Sequence, residues 1–482
     1  MMMKRPKGEW TDLFRTFRMS LDPRKLWLAF RGIIVSLVLL GLVLAALAIL
    51  FHARGMRFDV GPAPSRAGQG APTAAAAAAT QPKEDDDFVL APTDVLGALW
   101  HSGFAGGVRA TTAFTTCLFR DAALDALGPP GPGATPPPSP VSRLLNSEKL
   151  AAALVTSLVM AFVLLLVWSY YGAAIMRVAA VEYALGERIE LKSATAYARR
   201  KHHSFYGAPL GIALAIVAIA LGVAVVGLIG WNILVVCLGG AGVLAAGIAG
   251  SRVHDSTRST AGAACVVVGM LVVTGAVCAW VAGAEWRVPW LGEIAAGLLS
   301  PLAFVGGLVM VLLAVWLAFG AALMAGALSS SDSDTFDAWS RSFHYLFVHP
   351  WRYAWYVAVA LAHAAACLAF VWVVRVAVEW ATLWPLAVGL LGRFELAYHY
   401  MTGGGDAGAG TGAACLLGFF LTADRLLLDL LFLSFVVSYS ATAKTIVYFL
   451  MRRCSDGTPI TEVHLEPRDR DVVYPAPAAD KG

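Results

Sequence analysis

The chain has 482 residues, 58% of them hydrophobic and only 14% charged, with a net charge of +4. A soluble domain averages about 25% charged residues. Here the difference lies in runs of about twenty apolar residues, so the bilayer is the solvent for most of the chain, and the lack of a basic and aromatic stripe excludes a nucleic-acid partner.

Residues 1–31 carry eight Lys or Arg and three acids. Trp10, Leu13, Phe14, Phe17 and Leu21 share one helical face, which predicts a basic amphipathic helix suited to an anionic leaflet. A packed juxtamembrane helix is the alternative. Residues 32–52 hold the first span, Ile33–Phe51. The charged stretch before it is too long for a signal peptide, so it reads as an uncleaved anchor. Residues 53–149 are expected to form an extracytoplasmic loop, with low-complexity linkers at Ala74–Ala79 and Pro129–Pro140. One or two short helices fit there, and too few apolar residues for a separate core.

Residues 150–450 read as a transmembrane bundle. Span two is Leu150–Tyr171. The loop 172–205 carries six Lys or Arg. Span three, about Tyr206–Ile229, turns at Gly230-Trp231-Asn232 into span four, about Ile233–Gly250. Span five is about Ala261–Val281. Span six, about Leu302–Met324, has Ala314, Ala318, Ala322 and Gly326 on one face, a pattern for close helix packing. Span seven is about Ala354–Val378. The last apolar run, Ala413–Leu450, is expected to split into a lead-in helix and a span near Leu426–Phe449; a span starting near Cys415 is the alternative. A polar tail, 451–482, follows. The fold class is all-α: a polytopic transmembrane helical bundle of about eight spans with amphipathic surface helices. The Lys/Arg excess in alternate loops puts both termini on the cytoplasmic side.

Between spans six and seven lies a polar, aromatic-rich island, Ser331–Tyr356. Phe336, Trp339 and Phe343 recur at steps of three and four, which predicts a surface helix with its aromatics on one face. Asp337 and Arg341 form an i,i+4 pair, and Pro350, followed by Trp351, ends the pattern. This helix is a candidate membrane-surface or docking element. A fainter copy, Ala196-Tyr-Ala-Arg199 before Pro209, echoes Ala338-Trp-Ser-Arg341 before Pro350 and suggests two parallel hairpin units.

Ionisable residues inside spans are functional suspects. His363 lies within span seven and is expected to pack between helices. Arg375 and Glu379 form an i,i+4 pair near its outer end. Asp424, Arg425 and Asp429 stand near the start of the last span, with Asp429 expected to pair with Arg425. Glu395 and His399 are four apart but lack further ligands, so no metal site is expected. Asp332-x-Asp334 resembles a DxD motif, but its Ser-rich setting favours capping. There is no Walker loop, H-E-x-x-H or G-x-S-x-G. The seven cysteines include no C-x-x-C and most lie in or beside apolar runs. No catalytic residue and no cofactor is expected.

Three stretches carry a resemblance to a family of uncharacterised bacterial multi-pass membrane proteins: Leu21-Asp-Pro-Arg-Lys-Leu26, Phe336–Phe343 through Pro350-Trp351, and Ser438–Gly457. The middle stretch is also distantly similar to the cytoplasmic loop in the membrane domain of some glycerophosphodiester phosphodiesterases, whose catalytic domain is absent here. The resemblance implies an inner-membrane topology and no activity. Two functions follow. One is a non-enzymatic scaffold or envelope-organising component. The other is a permease-like subunit whose cytoplasmic helices dock an energising partner. Expected partners are the lipid bilayer and a membrane or cytoplasmic protein.

Overall fold

The computed structural model describes residues 8–53, 148–257, 260–283, 290–390, 394–395, 398 and 412–465. The linkers of the expected extracytoplasmic loop, Cys117 and the tail beyond residue 465 lie outside these. A 3-10 helix, Trp10–Arg15, is followed by α1 (Thr16–Ser20), α2 (Pro23–Ala53), α3 (Glu148–Leu185), α4 (Leu191–Thr257), α5 (Thr260–Gly283), α6 (Leu291–Ser330), α7 (Thr335–Val348), α8 (Pro350–Leu390) and α9 (Gly412–Asp456). Among the described residues all regular structure is helical.

Among the described residues, seven segments are long and apolar enough to cross a membrane: Pro23–Leu44, Leu154–Leu185, Leu191–Gly230, Asn232–Ser256, Leu291–Ser330, Pro350–Leu390 and Leu416–Asp456. The protein is therefore a multi-pass membrane protein. The fifth expected span coincides with α5, whose described apolar part, Ala264–Cys278, is shorter. No residue in the most apolar window of Leu291–Ser330 is buried by protein, and Leu298 and Phe304 are about four-fifths exposed. A surface this apolar is at rest only in lipid.

Several helices outrun the bilayer. The 38 residues of α3 rise about 57 Å, against about 30 Å for the hydrocarbon core. The excess turns are buried in protein: Ile175, Ala179, Ala180 and Val181 have almost no exposure. The expected loop 172–205 is thus mostly helix. Only residues 186–190 leave it. Gly186 makes the stop, at φ +74°, a left-handed conformation open to glycine, and its N–H donates to the Glu182 carbonyl at 3.0 Å. α4 then runs through Pro209 and breaks at Asn232 (φ −157°, ψ 96°). The Asn232 side-chain oxygen accepts the Leu234 N–H at 3.1 Å and caps the helix that follows. The last apolar run does not split. α9 is unbroken from Gly412 to Asp456, because no Gly or Pro interrupts it between Gly418 and Gly457.

The described residues fall into two compact units, one within Met1–Tyr206, Ala325–Asp334 and Phe347–Gly482, the other within Gly207–Met324 and Thr335–Leu346. In the first, the N-terminal segment is packed protein rather than a free surface helix. Phe17 meets Phe370 and Phe435 edge-on, Leu13 is fully buried, and Ser438 Oγ donates to the Ser20 carbonyl at 2.8 Å. Gly326 lies so close to Tyr448 that an added Cβ would overlap that ring. Of the small-residue face on α6, only this end packs tightly; Ala314 and Ala318 are exposed.

In the second unit, α7 buries Ala338, Ser342, Tyr345 and Leu346, at steps of four, three and one. The aromatic face expected at the membrane surface is a different one: Trp339 is half-buried, and Phe336 and Phe343 are exposed. Trp339 Nε1 donates to the Ala208 carbonyl at 2.8 Å, and Trp316 meets Trp339 and Phe343 edge-on. The echo at Ala196–Arg199 keeps a different environment: Ala196 is exposed where Ala338 is buried. Trp339→Phe should cost about 1 kcal/mol by losing one hydrogen bond, and Trp339→Asp several-fold more by placing charge among aromatic rings. Thermal unfolding in detergent checks both; an unchanged midpoint for Trp339→Asp would show that this ring contributes nothing.

Candidate functional site: paired charges between two spans

On α8, Arg375 and Glu379 stand one turn apart, with Nη2 to Oε2 at 3.3 Å. α9 supplies the other two members. Asp429 Oδ1 lies 2.6 Å from Arg375 Nη2, and Arg425 Nε lies 3.5 Å from Glu379 Oε1. The pairing expected between Asp429 and Arg425 is replaced by one across the helix interface. The exchange lets Arg375 face two carboxylates, which offsets the cost of holding its charge where side-chain exposure is only 15%. Two guanidinium groups and two carboxylates leave the cluster neutral. Asp424 is exposed and outside it.

From Trp351 to Arg375, α8 rises about 36 Å. That exceeds the hydrocarbon core of about 30 Å, so the cluster stands at one interface when Trp351, 86% exposed, marks the other. Beside it opens a cavity of about 350 Å³, lined by Glu379 and Arg425 with Trp380, Trp384, Phe394 and Tyr398.

His363 lies about three turns from Arg375 toward Pro350. Its Nδ1 is 2.7 Å from the Tyr439 hydroxyl, its Nε2 is 3.3 Å from Cys367 Sγ, and the Phe14 ring meets it edge-on. It is a packing centre that joins α8, α9 and the N-terminal segment. In the island, Arg341 Nε donates to Asp337 Oδ1 at 2.8 Å. Pro350 is the first residue of α8, where a missing N–H costs nothing.

The first unit also holds charges that sequence reasoning did not single out. Lys25 Nζ, fully buried, lies 2.6 Å from Glu182 Oε2 and donates to the Met19 carbonyl at 2.8 Å. Arg177, also fully buried, donates to the Ser329 carbonyl at 3.1 Å and the His464 carbonyl at 2.7 Å. Its guanidinium lies over the Tyr197 ring at 4.4 Å. The Tyr197 hydroxyl donates to the Leu328 carbonyl. Asp12 accepts from the Tyr183 hydroxyl at 3.2 Å and pairs with Arg15 at 3.2 Å. The available signal was Arg177 and Glu182 as isolated charges in the apolar stretch 172–185. Of the DxD-like pair, Asp332 forms an ion pair with Lys201 at 2.7 Å, and that hydrogen bond holds its carboxyl below the usual carboxylate range.

Among the described residues no three His, Cys, Asp or Glu side chains gather into a metal site, and His399 lies outside them. No protein-family model, curated protein or solved structure matches the chain.

Lys25→Met should destabilise the protein by about 3–5 kcal/mol by stranding the Glu182 carboxylate, and adding Glu182→Leu should recover most of the loss. Denaturant unfolding of the single and double variants measures it; additive losses would show that the pair is not coupled. Asp332 gives a pH signature. A lowered folded-state pKa stabilises above the unfolded value of about 3.9, and that contribution is lost as the pH falls through the folded value. Wild type should therefore exceed Asp332→Asn in stability at pH 7, with the gap beginning to close at about pH 4 and vanishing only once the pH is below the lowered folded-state value.

Proposed function

We propose that this multi-pass protein is a non-enzymatic component of a bacterial inner membrane, a scaffold or envelope-organising partner with both termini in the cytoplasm. The observation that carries the reading is the direct pairing of Arg375, Lys25 and His363 across helices. Arg375 and Asp429 meet at 2.6 Å, as do Lys25 and Glu182, and His363 is held by Tyr439 and Cys367. A coupled carrier needs an ionisable group in a hydrated site near the midplane that exchanges partners during transport. These groups instead join neighbouring helices directly. Long helical extensions outside the bilayer support the same reading, since they give a rigid surface on which a membrane or cytoplasmic protein can assemble. The resemblance of its three motifs to bacterial multi-pass proteins supports the choice of membrane.

The second reading, a permease-like subunit with an energising partner, is favoured by one feature only, the cavity beside the charge cluster. A cysteine-accessibility scan along α8 and α9 separates the two. The scaffold reading expects labelling by a membrane-impermeant maleimide to stop near Arg375 from one side and before His363 from the other. Continuous labelling past both residues would establish an aqueous path and favour the permease.

A further inference from the structure

We propose that the cavity beside Glu379 and Arg425 is a binding site for the headgroup of a zwitterionic phospholipid, entering from the bilayer. This goes beyond the scaffold reading and holds whether or not that reading does. The first observation is a loosely held cation. Arg425 lines the cavity, and its contact to Glu379, Nε to Oε1 at 3.5 Å, is longer than a hydrogen bond. A guanidinium so placed suits two oxygens of a phosphodiester.

The second observation is the wall. Trp380, Trp384, Phe394 and Tyr398 line the cavity with Glu379. Aromatic faces next to a carboxylate are the chemistry that holds an ammonium group. Anion and cation sites in one small cavity call for a ligand carrying both charges. The volume of about 350 Å³ is at the small end for a ligand site and takes a headgroup and glycerol rather than a whole lipid.

The third observation is access. Trp380 and Trp384 are one turn apart on α8 and about two-thirds exposed, on a helix whose Val373, Val374 and Val378 are also exposed. The cavity rim is therefore continuous with surface that lipid covers. Glu379, at the cavity wall, stands about 42 Å along α8 from Trp351, within the about 40–45 Å that a bilayer spans with its headgroup regions, where indole rings are enriched. Acyl chains would lie along the exposed valines while the headgroup occupies the cavity.

The test uses the full-length protein, purified in detergent and stripped of lipid, with native mass spectrometry as readout. Three probes are titrated: dispersed phosphatidylethanolamine, soluble glycerophosphoethanolamine, and inorganic phosphate. The proposal expects one phosphatidylethanolamine retained per chain and at least tenfold weaker retention in Arg425→Gln. Trp384→Ala, which leaves every ion pair intact, should weaken retention several-fold, so a folding defect in the arginine variant would not decide the matter. Trp351→Ala, at the far end of α8, should bind as wild type does. Equal retention by wild type, Arg425→Gln and Trp384→Ala would overturn the proposal. So would no retention by wild type, or equally tight binding of glycerophosphoethanolamine or phosphate, which would mark a site for a soluble ligand.

Discussion

Helix α6 ends against a buried cation. The last carbonyls of any helix lack partners within it, and the negative end of the helix dipole favours positive charge. Here the Leu328 carbonyl accepts from the Tyr197 hydroxyl, the Ser329 carbonyl from Arg177, and the Ser330 carbonyl from the backbone N–H of His464. Arg177 comes from the extension of α3, Tyr197 from the start of α4, and His464 from beyond α9. A single helix end thus gathers three other parts of the chain. Without the guanidinium, two backbone carbonyls would be left buried without that donor, a cost of about 1–3 kcal/mol each.

The other buried charges follow the same physical rule. A charge removed from water is tolerated when an opposite charge and hydrogen bonds surround it. Lys25 has Glu182 and the Met19 carbonyl; Arg375 has Asp429 and Glu379. Each pair joins two helices, so each acts as a register pin between apolar surfaces that would otherwise slide. Dispersion between apolar helices and lipid is nearly the same as between helices, so apolar packing alone fixes register weakly in a membrane. Polar contacts such as Ser438 to Ser20 add to that specification.

The spans were legible because twenty apolar residues in a row have one reading. The surface helix at Thr335–Val348 was legible from its aromatic period, whereas the stripe it buries in protein, Ala338, Ser342, Tyr345 and Leu346, carries no comparable signal. Arg177 read as one of six basic residues in a loop, since nothing local says that α3 continues to Leu185. Lys25 read as juxtamembrane charge, since its partner Glu182 is far along the chain. Asp429 had an acceptable partner one turn away, and only the apposition of α8 and α9 reveals the better one. Helix periodicity is a local property. Pairing across helices is decided by tertiary packing, which a single sequence leaves open.

Buried charge that fixes helices in place does not exchange partners. The most direct measurement is the distance between spin labels at two exposed positions, Val374→Cys on α8 and Leu431→Cys on α9, in lipid nanodiscs over a range of pH and lipid composition. The label pair requires a background without the native cysteines. One narrow distance, unchanged across conditions, is the predicted result. Two populations whose ratio moves with pH or lipid would show that the Arg375–Asp429 clamp opens, and would contradict the account.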